Sequence, residues 1–175
     1  MKIHAQSYIE DCLITVDKRI LRSERKRMWR ENRHFRNNFE LISMDDTLRF
    51  RVFLRYSEEF VEDFSIGLIW LNAIKVLSVP KSVVLLRCQG PHDGSSPLGS
   101  DLHHSYHTHE ITENDLVEQR YTKPSNKGVN REFSSFQTAA LYFVRRCRIV
   151  NAFEYHDFAI SNQLSLVDVG VSFND

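Results

Sequence analysis

The sequence predicts an α+β fold, in which an antiparallel meander of four or five strands is flanked by a long N-terminal helix and by a helix in the C-terminal half. Three observations support this prediction. Apolar residues recur at helical spacing near the N-terminus, a period-two alternation runs through residues 39–112, and helical spacing returns near residue 140. We expect the 175 residues to form a single domain, with a weakly defined tail over residues 152–175.

The N-terminal helix is predicted over about residues 5–36. Its first half places Ile9, Leu13, Val16 and Ile20 at three- and four-residue spacing, and no Gly or Pro interrupts the segment. This half is amphipathic and should pack on a core.

The second half of this segment is strongly basic. Residues 18–36 contain nine Lys or Arg residues and two acids. Such a stripe can neutralise phosphates or attract an acidic partner, and Arg25, Arg30 and Arg33 are therefore candidate contacts to an RNA backbone. A solvated helical face that serves only solubility is an equally good interpretation.

The predicted sheet core spans about residues 39–112. Its strands are expected at residues 39–43, 48–56, 64–71, 82–88 and 104–111. Residues 44–47 resemble a hairpin turn between the first two. In the second strand, apolar residues alternate with a row of arginines that includes Arg51 and Arg55. This row is either a solvated face or a positively charged wall beside a site.

Another helix is predicted over about residues 135–148. Phe136, Ala140, Phe143 and Val144 recur at helical spacing, and Ser135 is available as an N-cap. A short helix is expected at residues 113–119, followed by a loop at 121–130.

Composition narrows the possible functions. Lys plus Arg and Asp plus Glu both total 23, so net charge gives no global sign of nucleic-acid binding. No apolar run of about 18 residues and no charged-then-apolar leader is present, which predicts a cytoplasmic protein with no membrane partner. The Gly-rich segment 90–100 matches neither a P-loop nor a dinucleotide fingerprint, which argues against ATP or NAD.

The cysteines are expected to be buried core residues. Cys12, Cys88 and Cys147 are isolated, odd in number and embedded in apolar patterns. This arrangement argues against a disulfide framework and against a cysteine zinc site.

The histidines are concentrated in one segment. Five of the eight lie within 18 residues, namely His92, His103, His104, His107 and His109. Because residues i and i+2 of a strand share one face, His107 and His109 should point the same way. A site could form where they meet His92 and Arg87.

One chemistry available to this cluster is metal-independent phosphodiester cleavage. A neutral imidazole removes a proton from the RNA 2′-hydroxyl, and a protonated one donates to the leaving oxygen. We predict His92, His107 and His109 as the acid/base residues, Arg87 as the phosphate ligand, and Tyr106 as an orienting or stacking residue. No cofactor is needed for this reaction.

The alternative chemistry is metal binding. His107 and His109 with His92, and a carboxylate from Asp93 or Asp101, could hold Zn²⁺ or another divalent transition metal. The chain would then be a non-enzymatic interaction protein. A further alternative is a regulatory or anti-defence protein that binds nucleic acid without cutting it. The sequence has no HExxH-type signature and leaves these alternatives open.

Two segments resemble a known group of proteins. The strand LLRCQGPHD and the later YHTHEIT have a Gly-Pro-His and His-x-His arrangement similar to that of an uncharacterised bacterial and phage family related to TumE-type toxins of toxin–antitoxin modules. The likeness extends over about residues 39–148. Its matching positions are Gly90, Pro91, His92, His107 and His109.

This resemblance implies a toxin-like endoribonuclease that acts on RNA or on the translation apparatus, with an antitoxin as cognate partner. The sequence departs from the family in its basic N-terminal segment and in the run HHSYHTH, where the family has a simpler spacing. The oligomeric state is not indicated.

Overall fold

The computed structural model describes residues 5–21, 28–73, 82–92 and 101–152. In these residues the chain forms one antiparallel sheet of eight strands. The strands are β1 (Lys18–Ile20), β2 (Trp29–Glu31), β3 (His34–Ser43), β4 (Arg49–Ser57), β5 (Phe64–Trp70), β6 (Val83–Gln89), β7 (His107–Glu110) and β8 (Asn126–Val129). From β3 to β8 each strand pairs with the next, which makes a meander. Both β1 and β2 pair with β3, at its opposite ends.

The helices of the described ranges are short. The first, α1 (Ala5–Ser7), continues as a π-helix (Tyr8–Ile14). A 3-10 helix (Asp101–His104) precedes β7, α2 (Glu113–Val117) follows it, and α3 (Phe136–Arg146) comes after β8. None of the helices described has the length and apolar character required to cross a bilayer.

The predicted α+β class is wrong, because the sheet dominates and the long helix over residues 5–36 is not formed. Helical structure ends at Ile14, and β1, β2 and the start of β3 follow. Ile9 and Leu13 are buried as their spacing predicts, but Ile20 reaches the same core from a strand. Asn32, with a φ of 54°, turns the chain between β2 and β3, so the basic segment ends in a hairpin.

The strand predictions agree with the structure more closely than the prediction of the N-terminal helix does. The meander contains strands at all five predicted places, although β3 begins earlier than expected and β7 is shorter. The segment expected as a loop over residues 121–130 contains β8. The tail over residues 152–175 lies outside the described residues, except for Ala152.

Alternation along the strands gives the sheet an apolar face and a polar face. Val52, Leu54, Ile66 and Leu68 are almost completely buried on the first face. Helix α3 and the π-helix cover this face, and the resulting core forms a single cluster. Burying a side chain of this size contributes about 1.5–3 kcal/mol, so the core fixes which face each strand turns outward.

Helix α3 confirms the helix predicted at residues 135–148. Ser135 Oγ accepts a hydrogen bond from the backbone N–H of Thr138 at 3.2 Å, and Thr138 Oγ1 accepts one from the Ser135 N–H at 3.0 Å. This reciprocal capping satisfies two donors at the helix start. Cys88 and Cys147 are buried free thiols, as predicted.

A buried lysine joins the π-helix to the end of α3. Lys18 Nζ donates to the carbonyl oxygens of Ile14 and Val16, both at 2.8 Å, and of Cys147 at 3.1 Å. Burial lowers the pKa of Lys18 to about 8. The ammonium provides donors for carbonyls that the two helix ends leave unpaired.

Replacing Lys18 with Met should therefore destabilise the protein although Met has a similar length. The K18M variant leaves those carbonyls without a donor, and we expect the free energy of unfolding to fall by about 3 kcal/mol. Urea denaturation measures this change. The exposed Lys123→Met variant is the control and should change stability by less than about 0.5 kcal/mol; equal stability of the two variants would contradict the assignment.

A buried carboxylate organises the connection from β7 to β8. Asp115 accepts hydrogen bonds from the Thr112 N–H and the Ser125 N–H, both at 3.0 Å, and from Arg120 Nε at 2.7 Å. Burial alone would raise the pKa of Asp115, but these donors outweigh it and lower the pKa to about 2.

The Asp115→Asn variant should lose about 2 kcal/mol of stability at neutral pH, since its amide cannot accept all of these bonds. Because the pKa of Asp115 lies below its ordinary value in the folded chain, the carboxylate stabilises the fold above about pH 4, and this contribution is lost as the pH falls toward 2. The difference in unfolding free energy between wild type and variant should shrink over that range. The exposed Glu113→Gln variant should show no comparable loss, and a pH-independent difference for Asp115→Asn would argue against this role.

Candidate active site

The polar face of the sheet carries the candidate site. In an antiparallel sheet, cross-strand partners lie side by side on one face. The register pairs Arg36 with Arg55, Arg87 with His109, and Gln89 with His107. Arginines of three strands and histidines of a fourth therefore share a surface.

Four imidazoles form a continuous group on this surface, which we call the histidine cluster: His92, His103, His107 and His109. The ring centres of His92 and His103 lie 4.9 Å apart, those of His92 and His107 5.4 Å, and those of His107 and His109 5.0 Å. The backbone N–H of His92 also donates a hydrogen bond to the backbone carbonyl of His103 at 2.9 Å, which connects the 3-10 helix to the segment that follows β6.

Hydrogen bonds to backbone carbonyls fix the proton positions of two rings. His92 Nδ1 lies 2.9 Å from Gly90 O, and His107 Nδ1 lies 2.8 Å from Ser105 O. A carbonyl oxygen only accepts, so both Nδ1 atoms carry the proton and both Nε2 atoms are acceptors in the neutral rings. His103 Nδ1, 3.0 Å from His92 Nε2, is then the donor to it.

Burial keeps the two histidines of β7 neutral. The side chain of His107 is fully buried, and burial lowers its pKa although the bond to Ser105 opposes the shift. For His109, burial and the nearby charges of His107, Lys127 and Arg87 lower the pKa to about 3. Neither ring carries a positive charge near neutral pH, so neither supplies the protonated acid.

Two neighbouring arginines leave hydrogen-bond donors unused. Burial and the proximity of Arg55 lower the pKa of Arg87. The Nε atoms of both arginines are buried, and within the described chain neither has a hydrogen-bond partner. Like charges with unpaired donors favour a bound anion, because an anion would satisfy the donors and offset the repulsion.

Arg87 is positioned by stacking. Its guanidinium carbon lies 5.5 Å from the centre of the Phe53 ring. That ring lies over Gly67 so closely that a Cβ atom at residue 67 would come within 2.2 Å of Phe53 Cε1. Gly67 is therefore required by this close approach, since any side chain there would displace the ring that supports Arg87.

A cleft of about 500 Å³ opens beside the histidine cluster. It is lined by Arg55, Phe60, Asp63, Gln89, Pro91, His92 and His104. His92 belongs to both the cleft and the cluster, so it connects the other imidazoles of the cluster to a space that a ligand can enter. Asp63 lies 3.4 Å from one terminal nitrogen of Arg55, whereas the Nε of that guanidinium has no hydrogen-bond partner within the described chain.

The structure brings together the residues predicted as catalytic, but they do not all line the cleft. His92, His107, His109 and Arg87 occupy adjoining positions on the polar face. Of these, only His92 lines the cleft.

The predicted substrate-binding residues are scattered. Arg55 lines the cleft, whereas Arg51 lies farther along the same face in an exposed pair with Glu40. Arg30 and Arg33 are exposed and pair with Glu58 and Glu59. Arg25 lies outside the described residues.

Tyr106 is on the apolar side and packs against Phe64 and Phe133, with ring centres 6.1 and 6.0 Å apart. Burial raises its pKa. We therefore do not retain Tyr106 as a substrate contact.

Sequence reasoning did not assign roles to three residues of the site. His103 and His104 lay in the recognised histidine run, but a 3-10 helix carries them and strand alternation could not orient them. Gln89 could have been found, because it follows Arg87 at the i+2 position of β6 and so shares its face.

The metal-binding alternative receives no support from these positions. Within the described ranges, no three His, Cys, Asp or Glu side chains are placed to hold a metal ion, and this includes the predicted set His92, His107 and His109. Asp93 and the side chain of Asp101 lie outside the described part.

Comparisons with known proteins found no match: no family model fits the sequence, and no curated protein or solved structure is significantly similar to it. The resemblance to TumE-type toxins therefore stays a prediction.

The low pKa of His109 predicts a pH-dependent loss of stability. The unfolded chain binds a proton at this residue near pH 6.5, whereas the folded chain binds it only near pH 3, so His109 destabilises the fold as the pH falls through this range. The His109→Gln variant should lose less unfolding free energy than wild type between about pH 7 and pH 4.5. NMR of the His109 ring gives an independent check, and a ring that titrates near pH 6.5 would contradict the assignment.

Proposed function

We propose that this protein is a metal-independent endoribonuclease, with His92 and His104 as its acid/base pair. The observation that supports the proposal best is that these two imidazoles and the Arg55 guanidinium line one cleft. Phosphodiester cleavage at a 2′-hydroxyl needs a base, an acid and a cation beside the phosphate. The cleft contains all three kinds of group.

In this proposal His92 is the base. Its Nδ1–H is held by Gly90 O, so Nε2 is the atom that accepts the proton of the 2′-hydroxyl. The hydrogen bond that His103 donates to this atom is exchanged for one from the substrate. The 2′-oxygen then attacks phosphorus and the bond from phosphorus to the 5′-oxygen breaks.

His104 protonates the departing 5′-oxygen, and the products are a 2′,3′-cyclic phosphate and a 5′-hydroxyl. His104 is exposed at the end of the 3-10 helix, where solvent can restore its proton. Arg55 binds the phosphate, and the charge of the half-buried Arg87 near it stabilises the negative charge that develops in the transition state.

His107 and His109 take a supporting role here. Neither lines the cleft, and burial favours their neutral forms. The ring of His107 packs beside that of His92 and restricts its orientation. We include in the proposal an antitoxin-like partner, which the resemblance supports, and the cytoplasmic location expected from the sequence.

Cleavage of a single-stranded RNA should depend on the cleft residues and not on metal. We expect His92→Ala and His104→Ala to lower the cleavage rate by about 10²- to 10⁴-fold, the usual contribution of a general acid or base. EDTA should leave the wild-type rate unchanged. His34→Ala, which alters a half-buried histidine of β3 that does not line the cleft, is the control and should cleave like wild type.

Two results would overturn the proposal. The first is intact RNA after incubation with folded wild-type protein. The second is activity that disappears with chelator and returns with stoichiometric metal, which would favour the metal-binding alternative. Far-UV circular dichroism of each variant separates loss of activity from loss of fold.

A further inference from the structure

The mouth of the cleft carries an exposed aromatic ring. Phe60 lines the cleft with 53% of its surface exposed, and its neighbour Val61 is 45% exposed. Large apolar side chains gain stability from burial, so an exposed ring beside a polar cleft contributes little to the fold. Pro91 adds a second apolar lining element.

Hydrogen bonds made by its backbone groups hold the loop that carries Phe60. The Phe60 N–H donates to Ser57 Oγ at 3.3 Å, and the Phe60 carbonyl accepts from the Asp63 N–H at 2.9 Å. The Glu58 N–H also donates to the Arg33 carbonyl at 2.9 Å, which attaches the loop to the β2–β3 hairpin. These bonds fix the backbone that carries the ring at the cleft mouth.

We propose that the cleft receives one unstacked nucleobase, which stacks on Phe60 while Arg55 binds the adjoining phosphate. The inference rests on the proposed function and names its substrate class, single-stranded RNA. Aromatic rings bind bases of single strands by stacking, with little dependence on sequence. Gln89, whose amide has both donors and an acceptor, lines the same cleft and faces the polar edge of the base.

The chemistry of the lining favours a single strand over a duplex. In a duplex the bases are stacked on each other, and neither face of a base is open to a protein ring. The cleft volume of about 500 Å³ falls in the range of small-molecule sites. Arg55 is the cation in the lining, and although one of its nitrogens lies 3.4 Å from Asp63, its Nε has no hydrogen-bond partner within the described chain.

Binding of a non-cleavable RNA tests the inference separately from catalysis. The probe is a fluorescent 2′-O-methyl oligonucleotide of about twelve nucleotides, and its Kd is measured by anisotropy for single-stranded and hairpin forms. We expect the single strand to bind more tightly than the hairpin. Phe60→Leu, which keeps an apolar side chain but removes the ring, should weaken binding by about 5- to 150-fold.

Two further variants control for the shape of the loop. Phe60→Trp should restore binding to within about twofold, because the larger ring also stacks. Val61→Ala alters the neighbouring exposed residue, which is outside the cleft lining, and should bind like wild type. Equal binding by Phe60→Leu and wild type, equal binding of hairpin and single strand, or no binding by wild type would each overturn the inference.

The two proposals can fail separately. If wild type binds the probe through Phe60 but leaves unmodified RNA intact, the endoribonuclease proposal fails and the base site stands. If wild type cleaves RNA and the Phe60→Leu variant cleaves and binds equally well, the base site fails and the endoribonuclease proposal stands.

Discussion

The antiparallel register from β4 to β7 is the constraint on which the site depends. Because side chains alternate between faces, burial of the apolar set on one face forces Arg55, Arg87, His107 and His109 onto the other. A slip of one residue in β7 would turn Thr108 toward the cluster and both histidines toward α3. The energy that holds the ionisable groups together therefore comes from apolar packing on the opposite side of the sheet, where side chains such as Leu54 and Ile66 are almost completely buried.

The burial of ionisable groups at the site lowers the stability of the fold. The fully or partly buried imidazoles and guanidinium groups lose hydration, and several of their buried nitrogens gain no protein partner within the described chain. Such groups are usually satisfied in folded proteins, so their persistence on one surface is consistent with a surface shaped for a ligand. Lys18 and Asp115 make the contrast clear, since each is buried but has several hydrogen-bond partners and organises the backbone around it.

Strand alternation made much of the meander predictable, and the spacing of Phe136, Ala140 and Phe143 made α3 predictable. The prediction of a long N-terminal helix is wrong because the spacing of Leu13, Val16 and Ile20 fits a helix, whereas residues 18–20 pair with β3, which is distant in sequence. Local spacing cannot reveal such a long-range pairing.

The same limit applies to the site. The common face of His107 and His109 follows from their i+2 spacing, but the presence of Phe60 and His92 in the cleft lining depends on loops that no periodicity describes.

The close contact between Phe53 and Gly67 has a consequence for how this protein tolerates mutation. A single added methyl group at residue 67 would push the aromatic ring aside, and Arg87 would lose its support. Random mutagenesis scored by activity should therefore find an intolerant position in the middle of β5, at a residue with no side chain of its own. Such a position would be mistaken for a folding defect unless the stability of the variant were measured beside its activity.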